Sequence, residues 1–367
     1  MNTLVLTRVS SWKKGMKQAP THPRWTWLAV GVLLTTTSFE AKAAVVEVDS
    51  TQTTHFLGLQ IEYLEDSGSE LSLERVLSET YQSQFQKSQV KTPSFGFTQS
   101  TYWFQVNVRN TALEPNDWLL EIAYPLLDSV ELYLISERGE VVEYKTGDSK
   151  SFSSRPIDHR NFVFPVTLQS SEILKVVTRI ATTGSMQVPI RMSPPTTFWE
   201  REQLSLVALG IFYGLILVMV VYNGFLYLGL RQTSYLYYVL HVAFGALFQA
   251  CLHGTTFQWL WPDSVWFHDK ILPISAAASA GYLFVFTQQF LGLRSSLPRA
   301  SRALTLLTGL SLVVGVMAIF IPYAITIRMI VVVAMLAPFF CLGPSIYLWR
   351  RGSTIAGLYV SSWFFFL

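Results

Sequence analysis

The sequence predicts an extracytoplasmic β-sandwich or jelly-roll domain followed by an all-α bundle of transmembrane helices, on the evidence of its composition and charge distribution. Of its 367 residues, 50% are hydrophobic and 14% are charged, whereas about a quarter of an average soluble domain is charged. Residues 44–200 hold twelve basic and twenty acidic side chains, and residues 201–367 hold nine basic and three acidic ones. This pattern argues against a single soluble enzyme domain, and it leaves no clustered basic domain for a nucleic-acid partner.

The first 43 residues have the three parts of a secretory signal peptide. Four basic side chains lie between positions 13 and 24, the apolar stretch Trp25–Leu34 follows, and the small residues Ala41 and Ala43 occupy the −3 and −1 positions. Such a short apolar stretch does not span a bilayer unaided. We expect cleavage after Ala43, with an uncleaved anchor as the alternative. In both cases the residues that follow leave the cytoplasm.

An alternation of apolar and polar residues predicts a strand-rich domain over residues 44–196. In Tyr102–Asn110 the even positions as far as Val108 are apolar and form one face, as in a half-buried strand. The other predicted strands are Trp118–Tyr124, Val130–Leu134, Phe162–Leu168, Ile173–Ala181 and Gln187–Met192. One helix is predicted at Ser72–Tyr81, with Ser72 as its cap. Short strands at this spacing are typical of an antiparallel sandwich or jelly roll.

A helix bundle is predicted over residues 204–367, because long stretches there lack any Asp, Glu, Lys or Arg. Each is close to or above the roughly 20 residues that a helix needs to cross a bilayer. The five complete stretches are Leu204–Leu230, Tyr235–Gly254, Ile271–Leu293, Ala303–Ile327 and Met329–Trp349. A sixth, Ile355–Leu367, would cover only about 20 Å as a helix, so we expect the sequence to end within a span.

The loop charges predict the orientation of this bundle. If residues 44–200 are outside, the loops after the first, third and fifth spans are cytoplasmic. These cytoplasmic loops hold Arg231, Arg294, Arg299, Arg302, Arg350 and Arg351. The outer loops hold only Lys270 and Arg328 as basic residues. An excess of basic residues inside is the normal bias of membrane proteins, so residues 44–200 are predicted to lie outside the cytoplasm, in a multi-pass membrane protein.

The sequence contains no motif that predicts catalysis. It has no phosphate-binding glycine loop, no HExxH, no GxSxG and no paired catalytic carboxylates. Cys251 and Cys341 both fall in apolar stretches, where they read as small core residues, not as a disulfide or a metal site. We therefore expect no catalytic residue, no metal, no cofactor and no enzymatic activity in these residues. The predicted spans also lack Asp and Glu, which disfavours an ion-coupled transporter.

Five side chains of the predicted β-domain have the chemistry of a ligand site. They are Trp103, Arg109, Tyr124, Arg160 and Arg179. Aromatic faces and planar guanidinium donors suit a sugar or a carboxylate. The alternative is that the aromatic residues are core or sheet-surface residues and that the arginines are solvated.

The outer loop Thr255–Lys270 is rich in aromatic residues. Trp and Tyr often lie at the headgroup level of a membrane, so an interfacial belt is the first interpretation. A docking surface for the β-domain is the second.

Several ordered motifs resemble a known family. Tyr102-Trp103-Phe104 leads to Arg109-Asn110, and Trp118–Glu121 leads into Tyr124–Tyr133. Arg160–Pro165 and Gly184–Pro189 follow in order. Together with the spans, these motifs resemble the bacterial seven-transmembrane receptors with diverse intracellular signalling modules (7TMR-DISM) over roughly residues 45–367.

The resemblance implies a jelly-roll sensor for a small molecule such as a carbohydrate, placed above a helical transducer in contact with membrane lipids. It implies a location in the bacterial inner membrane, with residues 44–200 periplasmic. It also implies a cytoplasmic signalling module or partner, commonly a diguanylate cyclase or a histidine kinase, and these residues contain neither. Such receptors commonly signal as dimers, so a homodimer is a candidate assembly. The alternatives are the sensor half of such an enzyme, a solute transporter, or a module that contacts envelope proteins.

Overall fold

The computed structural model describes residues 45–49 and 54–364, and the predicted signal peptide lies outside them. Thirteen strands are described: β1 Val45–Val48, β2 His55–Phe56, β3 Glu62–Asp66, β4 Gln86–Lys87, β5 Ser94–Phe97, β6 Thr101–Asn110, β7 Asn116–Ile122, β8 Ser129–Ile135, β9 Val141–Thr146, β10 Phe162–Leu168, β11 Ile173–Ala181, β12 Ser185–Gln187 and β13 Ile190–Ser193. The described helices are α1 Leu73–Leu77, α2 Glu79–Gln82, α3 Pro195–Leu230, α4 Thr233–Leu252, α5 Thr255–Trp259, α6 Val265–Phe290, α7 Leu293–Ser296, α8 Pro298–Phe320, α9 Tyr323–Arg350 and α10 Thr354–Phe364.

The strands form a sandwich, which we call the β-domain. Its large sheet has the order β4-β3-β6-β11-β8-β9, with β1 parallel to the far end of β6, and its small sheet has the order β10-β7-β13-β2. The remaining pair, β5 and β12, forms a separate two-stranded ribbon. Phe104 of the large sheet and Trp118, Leu120 and Phe164 of the small sheet belong to one buried cluster. The predicted fold class, a β-sheet domain followed by a helical membrane region, is confirmed.

The period-two pattern correctly located the central strands but did not predict most of the short ones. Phe162–Leu168 and Ile173–Ala181 are strands with those bounds, whereas the predicted strand Gln187–Met192 is divided between β12 and β13. The predicted helical patch forms α1 and α2, and the Ser72 hydroxyl accepts a hydrogen bond from the backbone N–H of Arg75 at 3.4 Å. The strands β1 to β5 and β9 were not predicted, because strands of two to six residues carry too little pattern.

Among the described residues, five helices are long and apolar enough to cross a membrane: α3, α4, α6, α8 and α9. The bounds of all five helices differ from those of the predicted stretches, and two of these differences affect the site or the loops. Helix α3 begins at Pro195 instead of Leu204, since proline is well accommodated in a first helical turn. Helix α9 begins at Tyr323, just after Pro322, so Arg328 lies within a helix and not in the predicted outer loop.

Candidate functional site

The candidate site is the junction at which the first turns of α3 cross the outer face of the small sheet. Phe198, Arg201, Glu202 and Ser205 occur at the three- and four-residue spacing that places side chains on one helix face. Phe198 is fully buried against Leu119 of β7 and Val163 of β10. The part of α3 that precedes the apolar span is therefore packed on the β-domain.

Glu121 is the centre of the first half of this junction. It lies near the end of β7, directly across from Arg191 of β13, and is 1% exposed. Arg191 donates two hydrogen bonds to its carboxylate, at 2.6 and 2.9 Å. Arg201 of α3 donates a third at 2.7 Å, and the Asn161 amide donates a fourth at 2.7 Å. One buried carboxylate thus holds cations from the sheet and from the first span.

Glu202 is the centre of the second half, in which the helix supplies the carboxylate and the β-domain supplies the cation. Here the carboxylate belongs to α3, and Arg160 of the β-domain donates to its two oxygens at 3.1 and 3.2 Å. The same guanidinium donates to the Ser205 hydroxyl at 2.7 Å. The His159 Nε2 atom lies 3.3 Å from a Glu202 oxygen, and its Nδ1 atom accepts the backbone N–H of Asn161 at 3.0 Å. The two halves therefore connect sheet and helix in both directions.

The electrostatics of Glu121 show that its partners outweigh its burial. Burial by itself would raise the pKa of this carboxyl. The hydrogen bonds and charge of Arg191, together with Asn161 and Arg201, overcome that effect and hold the pKa below its usual range. Glu121 is therefore ionised at neutral pH, and removing one partner of such a buried pair would leave the other uncompensated.

A second contact lies beside the junction, where the outer loop of the bundle meets the β-domain. Arg155 is 6% exposed, and its guanidinium carbon lies 4.5 Å from the Phe152 ring centre, 4.4 Å from that of Phe162 and 5.9 Å from that of Phe257 in α5. Its Nη1 atom donates to the carbonyls of His159 and Arg160. Burial lowers the pKa of Arg155 to about 10, against the opposing charge of Asp148, so the group remains a cation at neutral pH.

Glycines allow the two parts of the chain to come this close. Gly254, between α4 and α5, has a φ of +71°, and a Cβ there would lie 2.8 Å from the Pro125 Cβ and 3.0 Å from the Arg160 carbonyl oxygen. At Gly184, beside β12, a Cβ would lie 3.3 Å from the Tyr323 ring. Only a residue without a side chain fits the Gly254 position unstrained.

The β-domain also carries a groove of about 530 Å³ at the edge of the sandwich where β3 meets β6. Its aromatic wall is formed by Tyr63, Tyr102 and Phe95, and the Phe95 ring stacks on Tyr102 with centres 4.0 Å apart. The exposed amides of Gln84 and Gln86 line it as well. Aromatic faces next to amides can hold a small polar ligand.

The structure places the five predicted ligand residues in two regions, the large sheet and the contact between the β-domain and the bundle. Trp103 and Arg179 pair across β6 and β11, with the guanidinium carbon 6.0 Å from the Trp103 ring centre. Arg109 lies farther along β6, beside β1. Tyr124 packs against the cores of both the β-domain and the bundle, and Arg160 belongs to the junction. The five residues therefore do not form one site.

Trp103 is a core residue in this fold. It is 1% exposed, lies in a cluster with Val76 of α1 and Val177 of β11, and stacks on Tyr133 with ring centres 6.2 Å apart. Arg179 is paired with Glu131 at 3.0 Å. Trp103 therefore matches the alternative interpretation of the aromatic residues, in which they are core residues and not ligand-binding residues.

The residues of the aromatic outer loop lie in two different environments. Phe257 is 1% exposed and meets the Phe152 ring of the β-domain edge-on at 5.6 Å. Trp259 and Trp266 are 71% and 62% exposed, as a belt at the membrane surface requires.

Sequence reasoning missed Glu121, Arg191, Arg201 and Glu202 as a set. A sequence signal existed, since Glu121 interrupts an apolar strand and Arg201-Glu202 directly precedes the first charge-free span. What could not be inferred was that these positions meet.

No group of three His, Cys, Asp or Glu side chains within residues 45–49 and 54–364 is placed to hold a metal ion. Two family models match the chain: 7TMR-DISM extracellular 2 over residues 58–194, and 7TM diverse intracellular signalling over residues 205–367. No individual curated protein matches it. The first match covers most of the β-domain, and the second begins within α3 at Ser205, the last of the junction residues. An extracellular domain of this type joined to a 7TM region of this type places the chain in the 7TMR-DISM family of membrane receptors.

Proposed function

We propose that this receptor transmits ligand binding in the β-domain to the membrane by moving the first span, α3. The observation that supports this proposal most directly is the pair of ion pairs at the junction. Glu121 of the sheet binds Arg201 of α3, and Glu202 of α3 binds Arg160 of the β-domain. Buried charge pairs have few acceptable geometries, so a shift of the small sheet moves α3 with it instead of sliding past it.

The ligand in this proposal is a small polar molecule such as a carbohydrate, bound in the groove beside Tyr63 and Phe95. Sugars place their C–H faces on aromatic rings and their hydroxyls on amides and carboxylates. The groove offers both, with Glu65, Gln84 and Gln86 as its polar groups.

The output in this proposal lies on the opposite side of a bacterial inner membrane, where the loops at Arg231, Arg294 and Arg351 would face a cytoplasmic signalling module or partner. We propose no chemistry for residues 1–367 themselves. A diguanylate cyclase or histidine kinase module would supply the reaction, as the family resemblance implies.

Calorimetry of the full chain in lipid nanodiscs tests the ligand part, with glucose, galactose, mannose and N-acetylglucosamine as probes. We expect one of them to bind and Phe95→Ala to weaken its binding about tenfold, because an aromatic contact of this kind contributes about 1 kcal/mol or more. Phe56→Ala is the matched control, since Phe56 is exposed on β2, outside the groove. Equal losses in the two variants would contradict the assigned groove.

A fluorophore on Arg231→Cys, at the far end of α3, tests the transmission. Cys251 and Cys341 are buried and give little background labelling. We expect the sugar that binds to change the fluorescence, and Glu121→Gln to suppress this change while the affinity for the sugar remains. A full fluorescence response in Glu121→Gln would exclude the junction as the route.

A further inference from the structure

A partly open cavity of about 300 Å³ lies where the β-domain meets the bundle, away from the groove. Leu126, Asp128 and Asp148 line it from the β-domain. Trp266, His268, Asp269 and Leu272 of α6 and Tyr323 of α9 line it from the helices. Its size is at the lower end of the range of small-molecule sites.

Three carboxyl groups line the cavity, and only that of Asp148 has no hydrogen-bond or salt-bridge partner among the described residues. Asp128 accepts hydrogen bonds from the Thr182 hydroxyl and from the N–H and hydroxyl of Thr183, at 2.7–3.2 Å. Asp269 lies 3.0 Å from the Lys270 ammonium. The Asp148 carboxyl accepts no hydrogen bond from any residue that the structure describes. One carboxylate is thus available to a bound molecule.

His268 provides a second, independent polar group. Its side chain is 5% exposed and lines the cavity, and its Nδ1 atom accepts a hydrogen bond from the Trp261 indole at 3.4 Å. The neutral ring then carries its proton on Nε2, which has no partner among the described residues. A molecule bound in the cavity could accept a hydrogen bond from this donor.

These groups do not suit a metal ion. Within the described residues, no three His, Cys, Asp or Glu side chains converge closely enough to coordinate one ion. The cavity is also far larger than an ion and has apolar walls at Leu126, Val265 and Leu272. A larger, partly apolar cation fits better.

We propose that this cavity binds a small organic amine, with its ammonium group on Asp148, a neutral acceptor on His268 and its carbon skeleton between Leu126 and Leu272. Such a ligand contacts the β-domain and the bundle at once. This site goes beyond the sugar groove of the proposed function and does not depend on it.

The electrostatics of Asp148 support an ammonium at this place. Burial, together with the charges of Asp128 and Asp269, raises the pKa of the Asp148 carboxyl well above its usual range, although the charge of Arg155 acts in the opposite direction. A cation bound beside it would favour the ionised form, so binding of the amine is coupled to loss of the carboxyl proton.

The test compares tyramine with tyrosol, which has the same skeleton but a neutral hydroxyl in place of the ammonium, by calorimetry of the full chain in nanodiscs. Both compounds keep a phenol oxygen as the acceptor for His268. We expect the amine to bind and the alcohol to bind at least about tenfold more weakly. Asp148→Asn should weaken amine binding by about the same factor, because the amide keeps the shape and removes the charge. Val265→Phe, which narrows the cavity from the helix side, should weaken binding of both compounds.

The matched control is Glu143→Gln, which neutralises an exposed carboxylate on β9 and should leave the affinity for the amine unchanged. Equal affinity for amine and alcohol, or equal losses in Asp148→Asn and Glu143→Gln, would overturn the proposal. Absence of tyramine binding in the wild-type chain would also overturn it. Failure of the sugar experiments would leave this result unaffected, since Asp148 and Val265 are not part of the groove.

Discussion

Glu121 shows how the meaning of a single residue depends on what covers it. In the sequence it is a charged residue on the outward face of an apolar strand, and such a residue usually faces water. In the structure α3 covers that face, and the carboxylate holds Arg191, Arg201 and Asn161. The residue that the sequence pattern assigns to solvent is thus the one that connects the β-domain to the first membrane helix.

The effect of Glu121→Gln should depend on pH. The pKa of Glu121 is lower in the folded chain than its ordinary value of 4.5. Its ion pairs therefore stabilise the fold fully above that value, and the contribution is lost as the pH falls through the folded pKa. We expect the variant to be less stable by about 3 kcal/mol at neutral pH.

Thermal unfolding of the wild type and of Glu121→Gln in nanodiscs, from neutral pH to below pH 4.5, measures the effect. The difference in stability between the two proteins should shrink in acid. Glu137→Gln, in the exposed turn between β8 and β9, is the control and should behave as the wild type. A stability gap that is constant with pH would mean that Glu121 acts through its shape and not through its charge.

At the scale of elements, the short helix α5 separates two roles that look alike in the sequence. Phe257 and Trp259 are two residues apart, yet Phe257 is buried against the β-domain and Trp259 points away from it. We expect Phe257→Ala to destabilise the chain by about 3–4 kcal/mol, because a fully buried aromatic ring is removed. Trp259→Ala should change stability little.

Chemical denaturation measures both free energies, and hydrogen exchange around Phe152 reports whether the contact opens. Faster exchange there is expected only in Phe257→Ala. If Trp259→Ala opened the same region, the division between a docking residue and a belt residue would be wrong.

The end of α4 makes a second prediction at this scale. Gly254→Ala places a methyl group 2.8 Å from Pro125 at a positive φ, so we expect a loss of about 2–3 kcal/mol. Gly309→Ala, inside α8 with open space around it, should instead be neutral or stabilising by up to about 1 kcal/mol. In nanodiscs, the thermal midpoint of Gly254→Ala should fall below that of the wild type, and the midpoint of Gly309→Ala should stay the same or rise.

At the scale of the whole molecule, the prediction concerns orientation. The alternation of five spans puts the β-domain and the loop between α6 and α8 on opposite sides of the membrane. An impermeant maleimide should therefore label Ser170→Cys in intact spheroplasts and label Ser296→Cys only after lysis. The wild-type chain is the control, because its two cysteines are buried. Labelling of Ser296→Cys from outside would reverse the topology.

The sequence by itself determined the class of fold, the order of its two parts, the central strands and the spans. These follow from local patterns: alternation for Phe162–Leu168, and absence of charge for Leu204–Leu230. Burial in a sheet or in a bilayer acts on every residue of such a segment, so the signal accumulates along the chain.

Only the tertiary structure decided which polar residues meet. Arg201 and Glu121 are 80 positions apart, and nothing local to either predicts the other. Trp103 was read as a ligand residue because the sequence does not show that α1 covers its face of the large sheet. The cavity at Asp148 arises in the same way, since its walls come from β-strand connections and from two helices. Contacts between distant segments depend on how whole elements pack, and that information is not contained in any one segment.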